Sequence, residues 1–94
     1  MWRVVEATGV GKQLQRAPRH VQEKYEFWIN VAELDGPIGL RRLPGFRDHA
    51  LKGEWQGARS SVLSRRWRVI YAVRGDDLTV LVFEVNPHDY RKKN

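Results

Sequence analysis

The stretch that most limits how this chain can fold is residues 66–85, "RWRVIYAVRGDDLTVLVFEV". In its first half the residues alternate. Trp67, Val69, Tyr71 and Val73 share one face of an extended strand, and Arg66, Arg68 and Ile70 take the other. "GDD" (75–77) has the composition of a hairpin turn. "LTVLVFEV" (78–85) is apolar at nearly every position, as expected of a strand covered on both sides. Upstream, "GARSSVLS" (57–64) alternates loosely and supplies a third strand, so residues 57–85 read as a three-stranded meander.

A meander with one apolar face needs a cover, and the N-terminal half provides it. "WRVVE" (2–6) reads as a strand, and "GVGKQLQRAP" (9–18) as a short helix that stops before Pro18. From Arg19 to Leu34, Val21, Tyr25, Trp28, Val31 and Ala32 fall on one helical stripe, while Glu23, Glu26 and Glu33 lie away from it. "DGP" (35–37) ends that helix, and "IGLRRLPGF" (38–46) reads as a further turn of helix and then a loop. The expected class is α+β: an N-terminal strand and a helical hairpin packed on a small, mainly antiparallel twisted sheet. With 94 residues, the expectation is one domain spanning 1–94.

The net charge is +6, and its placement matters more than its size. Residues 41–74 hold nine Lys or Arg against two acids, Asp48 and Glu54, whereas the rest of the chain is close to balanced. A segregated basic surface is the footprint of a polyanion site. The chain has no cysteine, which excludes disulfides, thiolate metal sites and a cysteine nucleophile. "MWRVVEATGVGK" lacks the apolar core of a signal peptide, and no apolar run approaches the ~20 residues of a membrane span. The expectation is a cytoplasmic protein without membrane contact.

"GVGK" lacks the first glycine and the Ser or Thr of a phosphate loop. No HExxH or carboxylate cluster suggests a metal, so neither metal nor cofactor is expected. Of the three histidines, His20 reads as a surface or packing residue at the start of the long helix. His49 and His88 flank the meander in sequence. Arg68, with Arg59 and Ser61 read as alternating in the same sense on the neighbouring strand, gives the sheet an arginine-bearing face. The planar fork of arginine suits phosphate oxygens. Two histidines near such a face are the parts for metal-free RNA cleavage: a base for the 2′-hydroxyl, a cation for the phosphorane, an acid for the leaving 5′-oxygen.

"DHALKGEWQGARSSVLSRRWRVIYAV" followed by "LTVLVFEVNPHDYRK" resembles the RelE superfamily of bacterial toxins, nearest its HigB, YoeB and YafQ branches. "KQLQRAPRHVQEKYEFWI" resembles that family's helical hairpin, so the resemblance covers nearly the whole chain. It implies a RelE-like microbial ribonuclease fold. The implied activity is a ribosome-dependent endoribonuclease that cuts messenger RNA in the ribosomal A site. The implied partners are a cognate antitoxin, the ribosome and messenger RNA. Position by position, the resemblance makes His49 the general base, Arg68 the phosphate-stabilising cation and His88 the general acid. It assigns RNA contacts to Arg59 and Lys52, and Tyr90 stands for a stacking tyrosine. Ser61, Arg66 and Arg91 complete the expected RNA-binding set. Val62 and Arg66 stand where the YafQ branch carries a second histidine and an aspartate, so a YafQ-type acid and base do not transfer.

Two other readings compete. A ParE-like toxin would bind and inhibit a topoisomerase without cleaving anything, and would not need the His49 and His88 pair. A plain RNA-binding or ribosome-associated protein would show exposed aromatic pairs for stacking. Trp67 and Tyr71 instead fall on the face assigned to the core.

Overall fold

In the computed structural model, which describes residues 1–87, the chain forms a five-stranded sheet with two helices on one face. The elements are β1 (Arg3–Glu6), α1 (Val10–Arg16), α2 (Arg19–Arg42), β2 (His49–Ala50), β3 (Arg59–Val62), β4 (Arg68–Arg74) and β5 (Thr79–Asn86). Short 3-10 turns at Pro44–Phe46 and Gly53–Trp55 link α2 to β2 and β2 to β3. The strand order is β1-β5-β4-β3-β2, with β1 parallel to β5 and every other pairing antiparallel. The α+β class, the helical hairpin and the meander are as expected. β2 was not foreseen, and β1 closes the opposite edge beside β5.

The helices start and stop where the chain chemistry requires. Ala17 is extended ahead of Pro18, which ends α1 and admits α2. α2 is broken at Gly36, where φ is 68° and ψ −161°, so "DGP" does interrupt the helix before it resumes to Arg42. A β-carbon at Gly36 would collide with the Trp2 indole. Only glycine permits both this backbone and that approach. The Trp2 N–H donates to the Glu33 carbonyl at 3.0 Å, tying the start of β1 to the same break.

Val21, Tyr25, Trp28 and Ala32 of α2 pack with Val10, Val69, Tyr71, Val80, Val82 and Val85 in the main core. The Trp28 ring stacks on Tyr25 at 5.8 Å and meets Tyr71 edge-on at 5.3 Å, which is offset and T-shaped aromatic geometry. The other face of the sheet is not left to arginines alone. Leu51, Ala58 and Ile70 are buried there beneath Trp55 and Phe83, because the segment after β2 folds over that face. β5 thus buries Val80, Val82 and Val85 in the main core, while on the other face Phe83 packs on this second cluster and stays half-buried with Leu81. The outer side of α2 exposes Phe27, Leu34 and Ile38. No helix among the described residues is long and apolar enough to cross a membrane.

Candidate active site

Cross-strand register decides which side chains meet. In an antiparallel pair, directly opposed residues share a face. His49 opposes Ser60, Ser60 opposes Ile70, and Ile70 opposes Glu84. One step along, Val62 opposes Arg68 and Arg68 opposes Asn86. His49 and Arg68 therefore stand on the same face. Arg59 opposes Tyr71 and Ser61 opposes Val69, which places them on the helix-covered face, opposite Arg68. The expectation that Arg59, Ser61 and Arg68 share a face is corrected here. Alternation within one strand fixes the spacing of side chains, but the register between strands fixes the face, and a one-residue slip inverts it.

His49 and Arg68 line one groove of about 840 Å³. Its wall runs from Lys24 on α2, through Gly45 and Arg47, to His49 on β2, then along Val62, Leu63, Ser64 and Arg65 to Arg68. Among the described residues, the lining carries four Lys or Arg side chains and His49, and no carboxylate. Lys24 is held at the rim with its Nζ 5.7 Å from the ring centres of both Phe27 and Phe46. Of the lining arginines, Arg68 is largely buried, whereas Arg65 is exposed. A concave basic wall without acids concentrates phosphate.

The His49 ring has a defined orientation. Its Nδ1 lies 2.9 Å from the Arg47 carbonyl oxygen. A carbonyl only accepts, so the neutral ring carries its proton on Nδ1 and presents the Nε2 lone pair. The Arg47 backbone that supplies this carbonyl is left-handed, with φ 45° and ψ 44°, an uncommon conformation for a residue other than glycine.

Beside this turn lies a buried carboxylate that the sequence reading passed over. The Asp48 side chain is fully buried and accepts three hydrogen bonds. Arg59 Nε donates to Oδ1 at 2.6 Å, Ser61 Oγ to Oδ2 at 2.6 Å, and Tyr71 OH to Oδ2 at 2.5 Å. Burial alone lowers the Arg59 guanidinium pKa, but the hydrogen bond and charge of Asp48 outweigh it and leave the pKa raised. Burial pushes the Tyr71 phenol well above its ordinary value, and the Asp48 carboxylate reinforces that shift. Arg59 and Ser61 thus serve Asp48, away from the groove.

The remaining expected residues lie elsewhere. Lys52 and Arg66 are exposed, and neither lines the groove. His88, Tyr90 and Arg91 fall outside the described residues. Lys24, Arg47 and Arg65 were missed. Lys24 stands in a helix 25 residues before His49, and nothing local in the sequence links the two. Among the described residues, no cluster of three or more His, Cys, Asp or Glu side chains is arranged to hold a metal ion.

No protein-family model matches the sequence, and no curated protein matches it. Solved structures do. An archaeal RelE from a RelE–RelB complex of Pyrococcus horikoshii superposes with a TM-score of 0.73 at 22% identity, over 92% of this chain and 93% of that one. YafQ from Escherichia coli gives 0.75 at 16% identity, with 94% of each chain covered. A YoeB–YefM complex from Staphylococcus aureus gives 0.72 at 13% identity, over 95% of this chain and 99% of the other. At these identities the likeness establishes the fold alone, which is RelE-like.

Proposed function

We propose that this chain is the toxin of a toxin–antitoxin pair, an endoribonuclease that cuts messenger RNA on the ribosome. The observation that carries the reading is the convergence of His49 and Arg68 on one basic groove that holds no carboxylate among the described residues, with His49 Nδ1 committed to a backbone carbonyl. His49 Nε2 takes the proton from a ribose 2′-hydroxyl. The Arg68 guanidinium faces the adjacent phosphate and offsets the charge that builds on the phosphorane. A second proton donor serves the leaving 5′-oxygen. His88 is assigned that role by the family resemblance and stands two residues after Asn86, the register partner of Arg68. Lys24, Arg47 and Arg65 hold the neighbouring phosphates.

In this scheme no metal takes part. The RNA supplies its own nucleophile, so the upstream product ends in a 2′,3′-cyclic phosphate and the downstream product begins with a 5′-hydroxyl. The groove is open and binds backbone, which leaves orientation of the scissile phosphate to the ribosome.

The partner is an antitoxin. Two similar structures are complexes of this kind, RelE with RelB and YoeB with YefM. The basic groove favours an acidic segment, and the exposed Phe27, Leu34 and Ile38 on α2 offer apolar contact.

The test is cleavage of messenger RNA on programmed ribosomes, comparing wild type with His49→Ala and Arg68→Ala. Each folded variant should lose activity, with His49→Ala lower by roughly 10²–10⁴-fold. Growth arrest in cells that persists in both folded variants would instead favour a ParE-like toxin that acts by binding.

A further inference from the structure

Asp48 does not line the groove, yet it is the residue between the two that shape the proposed base. Arg47, on one side of it, supplies the carbonyl that holds His49 Nδ1. His49 itself is on the other side. The carboxylate between them is fully buried and takes donors from β3, which pairs with β2, and from β4 beyond it. Tyr71, one of these donors, is itself wedged edge-on against Trp28 in the main core. Three short hydrogen bonds thus join the start of a two-residue edge strand to the inner strands and, through Tyr71, to the buried core.

We infer that Asp48 is a positioning residue for His49. The grip of Arg59, Ser61 and Tyr71 on its carboxylate fixes the turn that aims the Arg47 carbonyl at the imidazole and so selects the tautomer with Nε2 free. The catalytic use of that tautomer rests on the nuclease reading above, but the positioning itself does not. The left-handed Arg47 backbone supports the assignment. A strained residue of this kind persists only where its surroundings over-determine it, and the adjoining side chain is a fully buried carboxylate held by three hydrogen bonds. β2 alone is too short to do this, since it pairs only His49 with Ser60 and Ala50 with Arg59.

Asp48→Asn separates positioning from mere stabilisation. Its amide replaces one carboxylate oxygen with a donor, which faces groups that already donate. The whole chain, labelled with ¹⁵N, is examined through the long-range proton–nitrogen couplings of its histidine rings, with His49 assigned by its loss in His49→Gln. Wild type should give a single neutral form with the proton on Nδ1. Folded Asp48→Asn should give a mixture of both tautomers, and kcat on programmed ribosomes should fall by about 100-fold with KM unchanged, as expected for a displaced base. Tyr71→Phe keeps the carboxylate and two of its donors. It serves where Asp48→Asn does not fold, and should shift the tautomer ratio in the same direction by less. A wild-type tautomer pattern in whichever of these variants fold overturns the positioning role, whatever the activity. A mixed pattern in the variant, with a wild type inactive on ribosomes, overturns the nuclease reading and leaves the positioning role standing.

Discussion

Asp48 and Tyr71 lie 23 residues apart in sequence and are joined by a 2.5 Å hydrogen bond that links the edge of the candidate site to the aromatic core. Tyr71 OH donates and the carboxylate accepts. The tyrosine ring is fixed by Trp28, which is itself stacked on Tyr25, so α2, β4 and the turn before β2 form one connected unit.

Removing either partner should therefore cost more than a surface substitution. Tyr71→Phe deletes one hydrogen bond to a charged group and should destabilise by about 1.5–3 kcal/mol. Asp48→Ala leaves the partly buried Arg59 without its carboxylate and should cost about 3–5 kcal/mol. Urea unfolding measures both. An Asp48→Ala penalty no larger than that of an exposed acid such as Glu54 would mean that the three bonds hold nothing in place.

Alkaline pH should weaken the fold. Burial first, and then a neighbouring carboxylate, raise the phenols of Tyr71 and Tyr25 above their ordinary value of 10.0. Above that pH the unfolded chain loses phenolic protons that the folded chain keeps, so stability falls as pH rises and is fully retained below it. Urea midpoints taken from about pH 9 to about pH 11 should drop more steeply in wild type than in Tyr71→Phe. Equal slopes in the two proteins would place the alkaline sensitivity elsewhere.

Most of the fold was legible in the sequence because its signals were long. The alternation of 66–74, the apolar run of 78–85 and the stripe Val21, Tyr25, Trp28, Val31 and Ala32 each extend over several residues, and each became the element it suggested, with the strands running Arg68–Arg74 and Thr79–Asn86. What was lost was short or depended on register. β2 has two residues and no period to detect. Asp48, beside a histidine in a polar stretch, resembles any surface acid, and its donors at 59, 61 and 71 are scattered over two strands. A possible clue was an arginine and a serine spaced like inward-facing residues on β3, where a buried acid would satisfy both. Within the site, His49 and Arg68 were found through residue type and resemblance. Lys24 reaches the groove because α2 packs against the Pro44–Phe46 turn, where its ammonium sits over the Phe46 ring, and that is a tertiary fact.

The backbone at Gly36 should tolerate no side chain. Its positive φ disfavours alanine, and the β-carbon would strike the Trp2 indole. Gly36→Ala should cost more than about 1 kcal/mol and release β1 from α2. Faster hydrogen exchange at the Trp2 amide, which is bonded to the Glu33 carbonyl, would report that release. Unchanged exchange and stability would show that Trp2 moves aside at little cost.

The groove should bind single-stranded RNA through charge. Each phosphate contact adds about −0.7 to the slope of log affinity against log salt. Arg65→Ala and Lys24→Ala should each flatten the slope by about that much, while Lys52→Ala, outside the groove, should change it little. An equal effect of Lys52→Ala would move the RNA path to another surface.

With His49 and Arg68 in the proposed roles, RNA is cut by its own 2′-hydroxyl. The most direct test is the chemistry of the ends made on programmed ribosomes, in excess chelator, with a matched message carrying one 2′-deoxy sugar at the cut site. Cleavage should leave a 2′,3′-cyclic phosphate upstream and a 5′-hydroxyl downstream. The deoxy message should bind and stay uncut. A 5′-phosphate product, or cutting of the deoxy message, would contradict these roles.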